Sequence, residues 1–500
     1  MDPAATTPTP AAPAGTQPGS DVRRQLGAFY TPAAPVNLML AQLDGLGPHS
    51  RILEPSGGDG AFVLPLLDSG TVDASQIDVW DLDPQVAGTM DRLGVNFSCR
   101  DSLLDPGNAP AGGYTHVIGN PPYLNKQSAY IKANKQQLRR RYGHIGVNET
   151  YALFTVMALE RLAAGGQLVF LVSETFLSLG IHTRFRQYLL DNCAIDRITL
   201  LPRRTFPDAA VNTCVLTVRK ARPGPDHQVR FVDCRSNDAG DFTGPEEVVP
   251  QASIAGLPGA TFAFGAAHQL LQACGSLPPL LGLLDGGLGM HTGDNRRYLA
   301  TIEHAGGPRD WPASVPAAQV DGSRWVAYYK AGGAQPWWRP PEFAVDWRAR
   351  SQQQYGIPTS VGHRLAADGT PRAGFLVSGV ASQLTARGML PGALWDSNKV
   401  FAFFPKEPRR YPPEFFVAAL NSRFYRAVAA ALNHTVSLQI RDLRRLPLLP
   451  FTAAEIGALA SAGRDAIECA RAGQDTAAAE RTANQLVAAA ASRAGITLPE

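Results

Sequence analysis

Between residues 50 and 220, short apolar runs alternate with longer stretches whose apolar positions recur every three or four residues. The short runs are Arg51-Ile52-Leu53 and residues 77–80, 96–99, 116–118, 168–172, 195–200 and 214–218. Their near-continuous apolar character, with helical stretches between them, predicts an α/β domain built on a parallel sheet covered on both faces. Val36, Met39, Leu40 and Leu43 share one face of a helix ahead of the first strand. Asn148-Glu149 opens another helix, with Leu153, Val156, Met157 and Leu162 inward and Gly165-Gly166 as its stop.

Near residue 220 the pattern changes. Residues 221–226 carry Pro and Gly and read as a linker. Residues 230–450 are rich in Gly, Pro and aromatics, and six of the seven tryptophans fall between Trp311 and Trp395. That region predicts a mixed, β-containing domain with a tryptophan-rich core. From Thr452 the chain becomes Ala-rich, which predicts terminal helices. The expected organisation is a tail over 1–20, a first domain over 21–222 and a second over 228–500. Five hundred residues exceed what one core organises.

Composition excludes several classes. Net charge is +3, so any nucleic-acid contact rests on local basic patches. Six cysteines without a C-x-x-C pair argue against a disulfide framework and a zinc site, and fit a reducing cytoplasm. No apolar run is long enough for a membrane span. The Ala/Pro/Thr-rich start does not resemble a signal peptide, so a cytoplasmic protein with no membrane partner is expected.

The chemistry concentrates in Val117-Ile118-Gly119-Asn120-Pro121-Pro122-Tyr123. A buried strand ends, and two prolines, stiff in φ and without N–H donors, hold the next residues extended. Carbonyls are left to face a ligand, Asn120 adds a side-chain acceptor, and Tyr123 adds a flat ring. Two acceptors beside a stacking surface suit the exocyclic amine of a planar base. Upstream, the first strand ends in Glu54-Pro55-Ser56-Gly57-Gly58-Asp59-Gly60, where glycines permit close approach of backbone to ligand. Asp81 ends the second strand, about twenty residues past the last glycine, where a carboxylate accepts from ribose hydroxyls. Asp101 ends the third and Asn120 the fourth. Successive strand ends are where open α/β sheets bind ligands. Singly, the glycine loop reads as a tight turn and Asp101 as a helix cap; their register with Asn120 carries the weight. The loop lacks the G-x-x-x-x-G-K-[ST] pattern of ATP and GTP sites.

These motifs resemble those of the N6-adenine DNA methyltransferases of restriction–modification systems, in the gamma order. The resemblance implies a Rossmann-like, seven-stranded domain that binds S-adenosylmethionine, followed by a mixed α/β target-recognition domain that binds double-stranded DNA. Gly27-Ala28-Phe29-Tyr30-Thr31-Pro32 is similar to the family's N-terminal cofactor segment, through Tyr30 and Thr31. Glu54, Gly58 and Gly60 match the methionine-side loop, Asp81 the ribose acid and Asp101 the acid near the cofactor adenine. Residues 120–123 match the catalytic tetrapeptide: Asn120, Pro121, Pro122 and Tyr123. Thr205-Phe206-Pro207-Asp208 resembles a later motif, so Phe206 and Tyr123 are the expected stacking rings for a flipped base. Gly57 stands where many relatives have Cys. No metal is implied. A separate restriction endonuclease is a partner the resemblance leaves open, and a monomer associated with the bacterial nucleoid is expected.

Arg139, Arg140 and Arg141 close a basic run behind the tetrapeptide; Arg296, Arg297 and Lys330 sit among Gly-rich, aromatic stretches. Both groups are candidate DNA contacts, the first for phosphates and the second for bases; the first reads equally as a solvated helix face. Three other readings compete. One is N4-cytosine methylation, which shares the tetrapeptide's chemistry. Another is amino-methylation of RNA or of a protein glutamine, and the third is a DNA-specificity module without catalysis. The long second domain and Phe206 favour DNA, and Asn at 120 favours adenine by resemblance.

Overall fold

The computed structural model describes residues 31–206, 212–303, 305–308, 310–330, 332–397, 399–433, 435 and 437–498. Two compact units emerge: the described part of Met1–Glu174 with Tyr188–Val248, and Thr175–Gln187 with Val249–Glu500.

The first unit is a twisted sheet. Its strands are β1 (Ile52–Glu54), β2 (Ile77–Asp81), β3 (Asn96–Cys99), β4 (Tyr114–Gly119), β5 (Leu162–Ser173), β6 (Ala194–Leu200), β7 (Thr213–Arg219), β8 (Gln228–Asp233) and β9 (Glu246–Pro250), in the order β3-β2-β1-β4-β5-β7-β6-β8-β9. Two expectations change. Among the described residues the sheet has nine strands rather than seven, because Val229 and Phe231 alternate into the core past the presumed linker and β8 pairs in parallel with β6. It is mixed rather than parallel, because β7 runs antiparallel to both β5 and β6. Residues 221–226 therefore connect two strands of the first unit's sheet and do not mark the border between units.

Helix α1 (Ala33–Leu40) buries Val36 and Met39 on the same face as α2 (Val63–Asp68) and α3 (Ala87–Leu93), against Ile52, Val79, Ile118 and Val169. After β4 come α4 (Ala129–Ala133), α5 (Lys135–Tyr142) and α6 (Thr150–Arg161). Ten successive residues of α6, Thr150 to Leu159, are buried, as befits a helix enclosed by its domain. It stops at Arg161, and Gly165-Gly166 falls inside β5. Gly165 takes a left-handed φ of 76° that its glycine permits. Helix α7 (Thr183–Asn192) leads to β6.

Among its described residues the second unit holds two sheets. One has the order β10 (Leu284–Leu288), β18 (Val400–Pro405), β15 (Phe375–Ser378), β16 (Ala386–Gly388). The other runs β12 (Ser314–Val315), β11 (Leu299–Ile302), β14 (Phe343–Asp346), β13 (Trp325–Tyr329), β17 (Leu394–Trp395). Strand periodicity sorts the core into two layers. Phe375, Val377, Phe401 and Phe403 join the helices α8 (Gly265–Cys274), α9 (Pro413–Leu420), α10 (Arg423–Leu432), α11 (Ala453–Arg471) and α12 (Ala477–Arg493). Leu376, Val400, Ala402 and Phe404 face the other way, into a cluster with Tyr328, Val345 and Trp395. Trp337 and Trp395 are buried core residues, as the composition suggested.

Candidate active site

The glycine loop after β1 is bent back onto β2 by three backbone-level constraints. Gly57 N–H donates to the Trp80 carbonyl at 3.1 Å and Gly60 N–H to the Gly57 carbonyl at 2.9 Å. Gly58 and Gly60 take left-handed φ values of 52° and 81°, which glycine tolerates without a side-chain clash. A Cβ on residue 57 would lie 2.2 Å from Cγ1 of Val79, a fully buried β-branched side chain. Residue 57 therefore leaves no room for a side chain unless Val79 shifts.

Asp81 joins the loop to the end of β2. Its Oδ2 accepts from Gly58 N–H at 2.9 Å and its Oδ1 from Asp83 N–H at 2.8 Å. Burial pushes its pKa up against the pull of those donors. Glu54 lies deeper, only 2% exposed, and its Oε2 has no hydrogen-bond partner among the described residues. Burial first, then the charges of Asp81 and Asp59, hold its pKa well above the ordinary carboxylate range. A buried lone acceptor of this kind is costly unless a donor arrives.

Asp101 caps the turn after β3. Its Oδ1 accepts from the N–H groups of Leu103 and Leu104, each at 3.0 Å. Tyr130 of α4 donates its hydroxyl to the same carboxylate, 3.0 Å from both oxygens.

β4 ends at Gly119 and delivers Asn120 to the carboxyl edge of the sheet. The Asn120 amide is oriented by Thr31: Nδ2 donates to Oγ1 at 3.1 Å. The carbonyl oxygen Oδ1 is thereby the end left to accept, the network choosing between the two amide orientations. Ser56 Oγ donates to the Asn120 backbone carbonyl at 3.3 Å. Thr150, at the first turn of α6, donates its hydroxyl to the Pro122 carbonyl and accepts from Leu124 N–H at 2.9 Å. The Pro121 carbonyl accepts no hydrogen bond among the described residues. Tyr123 is half-buried, its hydroxyl end is buried, it is not among the cleft's lining residues, and Tyr151 packs edge-on against it at 5.9 Å. Burial raises the Tyr123 hydroxyl pKa well above its usual value.

One cleft gathers these elements. Ser56, Gly58, Asp59, Asp81, Asp101, Asn120, Pro122, Tyr130, Thr150 and Phe154 are among its lining residues, with Leu82 and Val86 supplying apolar wall. Asp81 and Asn120 thus share a cavity. Glu54 and Gly60 stand behind the loop, Pro121 is buried, and Thr31 connects through Asn120. Sequence reasoning missed Thr150 and Tyr130. Thr150 sits one residue past the Asn148-Glu149 helix opening, a position whose hydroxyl could have been suspected; Tyr130, inside the basic run, offered no signal.

The other candidates lie elsewhere. Tyr30 and residues 207–211 of the later motif lie outside the described residues. Phe206 is half-buried against the core that contains Leu201 and Val215, and is not among the cleft's lining residues. Arg139 and Arg140 are exposed and line a shallow groove with Lys132 and Lys135. Arg141 instead pairs with Glu160 at 3.0 Å. In the second unit, Arg296 and Arg297 are exposed on the short helix Asn295–Tyr298, which Asp294 caps. Lys330 stacks its ammonium 4.2 Å from the Trp311 ring centre, and burial lowers its pKa. Among the described residues no group of three or more His, Cys, Asp or Glu could hold a metal, and no helix is long and apolar enough to cross a membrane.

Residues 88–206 match the family model of the Eco57I restriction-modification methylase. The chain is 24% identical over 178 residues to the Type II methyltransferase M.HincII of Haemophilus influenzae, covering 35% of this chain and 33% of that one. It is 26% identical over 247 residues to the Type II methyltransferase M.XamI of Xanthomonas campestris pv. amaranthicola, covering 45% and 46%. Over that matched stretch the chain spans less than half of either relative. Among solved structures, the ATP-dependent Type ISP restriction-modification enzyme LlaBIII bound to DNA shares the fold over 89% of this chain and 39% of its own, with TM-score 0.55 at 10% identity. In its matched region the chain is similar to restriction–modification DNA methyltransferases.

Proposed function

We propose that the protein transfers a methyl group from S-adenosylmethionine to N6 of an adenine flipped out of double-stranded DNA. The observation that carries this reading is the single cleft shared by Asn120 and the carboxylate of Asp81 at the sheet's carboxyl edge. Kinship with Type II methyltransferases supports it.

The residues present fit the cofactor. The lone buried Oε2 of Glu54 suits an ammonium group. Gly58 and Gly60 leave room for close backbone approach, and Asp81 suits ribose hydroxyls. Tyr130 and Asp101 form the polar end of the cleft, and Leu82 and Val86 its flat apolar wall. When bound, S-adenosylmethionine supplies an electrophilic sulfonium methyl group.

Everything else is positioning by this chain. The lone pair of an aromatic amine is delocalised into its ring. Asn120 Oδ1, turned by Thr31, and the Pro121 carbonyl accept the two amine hydrogens. Holding both hydrogens draws the nitrogen toward tetrahedral geometry and frees its lone pair for in-line attack. The work is orientation and electrostatics, without a covalent enzyme adduct. Thr150 anchors the Pro122 carbonyl, so the imide pair presents one carbonyl and not the other. Tyr123 is one stacking candidate for the base and Phe206 the second. Lys132, Lys135, Arg139 and Arg140 neutralise phosphates. The second unit reads the target sequence, with Arg296, Arg297 and Lys330 as candidate contacts. A cytoplasmic monomer working beside a separate endonuclease completes the reading.

The test is direct. DNA incubated with the protein and S-adenosylmethionine is digested to nucleosides and analysed by mass spectrometry. N6-methyladenine is expected, and Asn120→Ala should lower turnover about 10²–10³-fold while cofactor binding persists, by analogy with loss of one oxyanion-hole donor. N4-methylcytosine alone would replace the target base. Methylation of neither, across mixed-sequence DNA, would end the proposal.

A further inference from the structure

Several arginines of the second unit are matched to acids: Arg348 pairs with Asp346, Arg372 with Asp285 at 3.2 Å, and Arg339 with Glu342. A group in the same unit, around Thr183, is built differently. Thr183 Oγ1 accepts from Arg186 Nη2 and from Arg445 Nη2, each at 3.2 Å, and donates to the Gly180 carbonyl at 2.9 Å. Arg441, on the short helix Ile440–Leu443, lies along Gly180: a Cβ on that glycine would overlap the arginine's stem. The Arg445 guanidinium rests on Gly259 in the same way, and the Gly259 carbonyl accepts from Arg186 Nη2 at 2.8 Å. Three cations are thus gathered at one turn, two of them seated where glycines leave the space.

Their donors are spent unequally. Arg186 is fully buried and gives its N–H groups to Thr183 and to backbone carbonyls. Among the described residues neither Arg441 nor Arg445 makes an ion pair with an acid. Arg441 is exposed; Arg445 is half-buried, and its Nη1 has no hydrogen-bond partner among the described residues. The carboxylate bearing on Arg445 is that of Asp442, whose Oδ2 is taken by Asn433 Nδ2 at 2.8 Å and by Gln439 N–H at 3.0 Å. His182, next to Thr183, is pushed down to about 3 by burial and by the charges of Arg186 and Arg441. Like charges collected away from bulk water repel one another, and an anion arriving among them is drawn in. A phosphodiester brings a negative charge and a pair of free oxygens, which a guanidinium fork matches.

We propose that Arg441, backed by the fixed charges of Arg445 and Arg186, binds a phosphate group of the DNA backbone. Arg441 makes the direct contact, and the two arginines behind it deepen the potential at that point. The inference rests on the DNA-methyltransferase reading above and adds a backbone grip in the second unit, separate from its candidate base contacts.

The test is duplex binding as a function of salt. Wild-type protein, Arg441→Gln, Arg441→Lys and Arg445→Gln are titrated against a fluorescently labelled mixed-sequence duplex, with S-adenosylmethionine binding and thermal melting measured alongside. Arg441→Gln should weaken duplex binding about tenfold at low salt, the range of one hydrogen bond to a charged group. Its plot of log affinity against log salt should flatten by about 0.9, the share of one phosphate contact. Arg445→Gln should move both in the same direction by less. Arg441→Lys should keep the slope and lose part of the affinity, because the charge stays and the fork is gone. Cofactor binding should be unchanged throughout. Wild-type affinity and slope in both glutamine variants would overturn the proposal and leave the function standing. A loss of affinity that appears only together with a lowered melting transition would mark a structural role and overturn it too. Inorganic phosphate that raises the wild-type melting temperature while the variants bind duplex normally would make this a small-anion site, against the DNA assignment. Wild-type protein that binds no duplex would remove the function and this contact together.

Discussion

Thr150→Val is the most discriminating change the site offers. It keeps the shape of the side chain and removes only a hydroxyl that holds two backbone groups, the Pro122 carbonyl and the Leu124 N–H. Residue 150 is 1% exposed, so water reaches these groups poorly once the hydroxyl is gone. Each stranded backbone group costs about 1–3 kcal/mol. The loop borders a cleft and can relax toward solvent, so the lower end applies, about 2 kcal/mol in all. If that energy now favours a displaced imide pair, the Pro121 carbonyl leaves its productive position and the rate falls about thirtyfold, at 1.36 kcal/mol per factor of ten. A 1 Å misplacement carries a penalty of similar size, about 10²-fold. Single-turnover methyl transfer should therefore drop by about 10- to 100-fold in Thr150→Val. Cofactor affinity should barely move, because the Asp81 side of the cleft is untouched. Thr150→Ser keeps the hydroxyl and should recover most of the rate. Wild-type speed in Thr150→Val, or equal slowness in both variants, would refute the reasoning.

Three further expectations follow from other parts of the structure. Glu54 has a raised pKa, so the stability of its neutral, buried form is fully present below the ordinary carboxylate range and is lost as pH rises through the raised value. An ammonium arriving beside it should expel that proton: calorimetry in buffers of different ionisation heat should detect proton release on S-adenosylmethionine binding, and Glu54→Gln should abolish it. Gly57→Ala drives a Cβ into Val79 and should destabilise the first unit by about 1–3 kcal/mol in denaturant titration, with Val79→Ala relieving part of the loss; simple additivity of the two changes would contradict the contact. Arg186, fully buried, donates to the carbonyls of Phe176, Leu179, Gly259 and Ala260, tying residues 175–187 into the second unit; Arg186→Met should cost at least about 3 kcal/mol by stranding several of these acceptors, and an unchanged melting transition would contradict it.

Much of the first unit was readable from the chain alone. β1 to β7 overlap the runs read from the sequence, because a central strand buried on both faces must be largely apolar and announces itself; the edge strand β3, with no buried residue, is the exception. The punctuation at their carboxyl ends, Gly57–Gly60, Asp81, Asp101 and Asn120-Pro121-Pro122, is likewise local, since turn chemistry and ring stiffness act over a few residues. What tertiary structure alone decided is pairing over distance. No local pattern says that β7 enters antiparallel between β5 and β6, or that a strand beyond the linker extends the sheet. None says that Thr31, 89 residues away, turns the Asn120 amide, or that Thr150 and Tyr130 hold the Pro122 carbonyl and the Asp101 carboxylate. Nor could it reveal which buried carboxylate keeps an oxygen in reserve, as Glu54 does. Residue type sets what a side chain can accept or donate; only the folded chain sets whether a partner has already taken it.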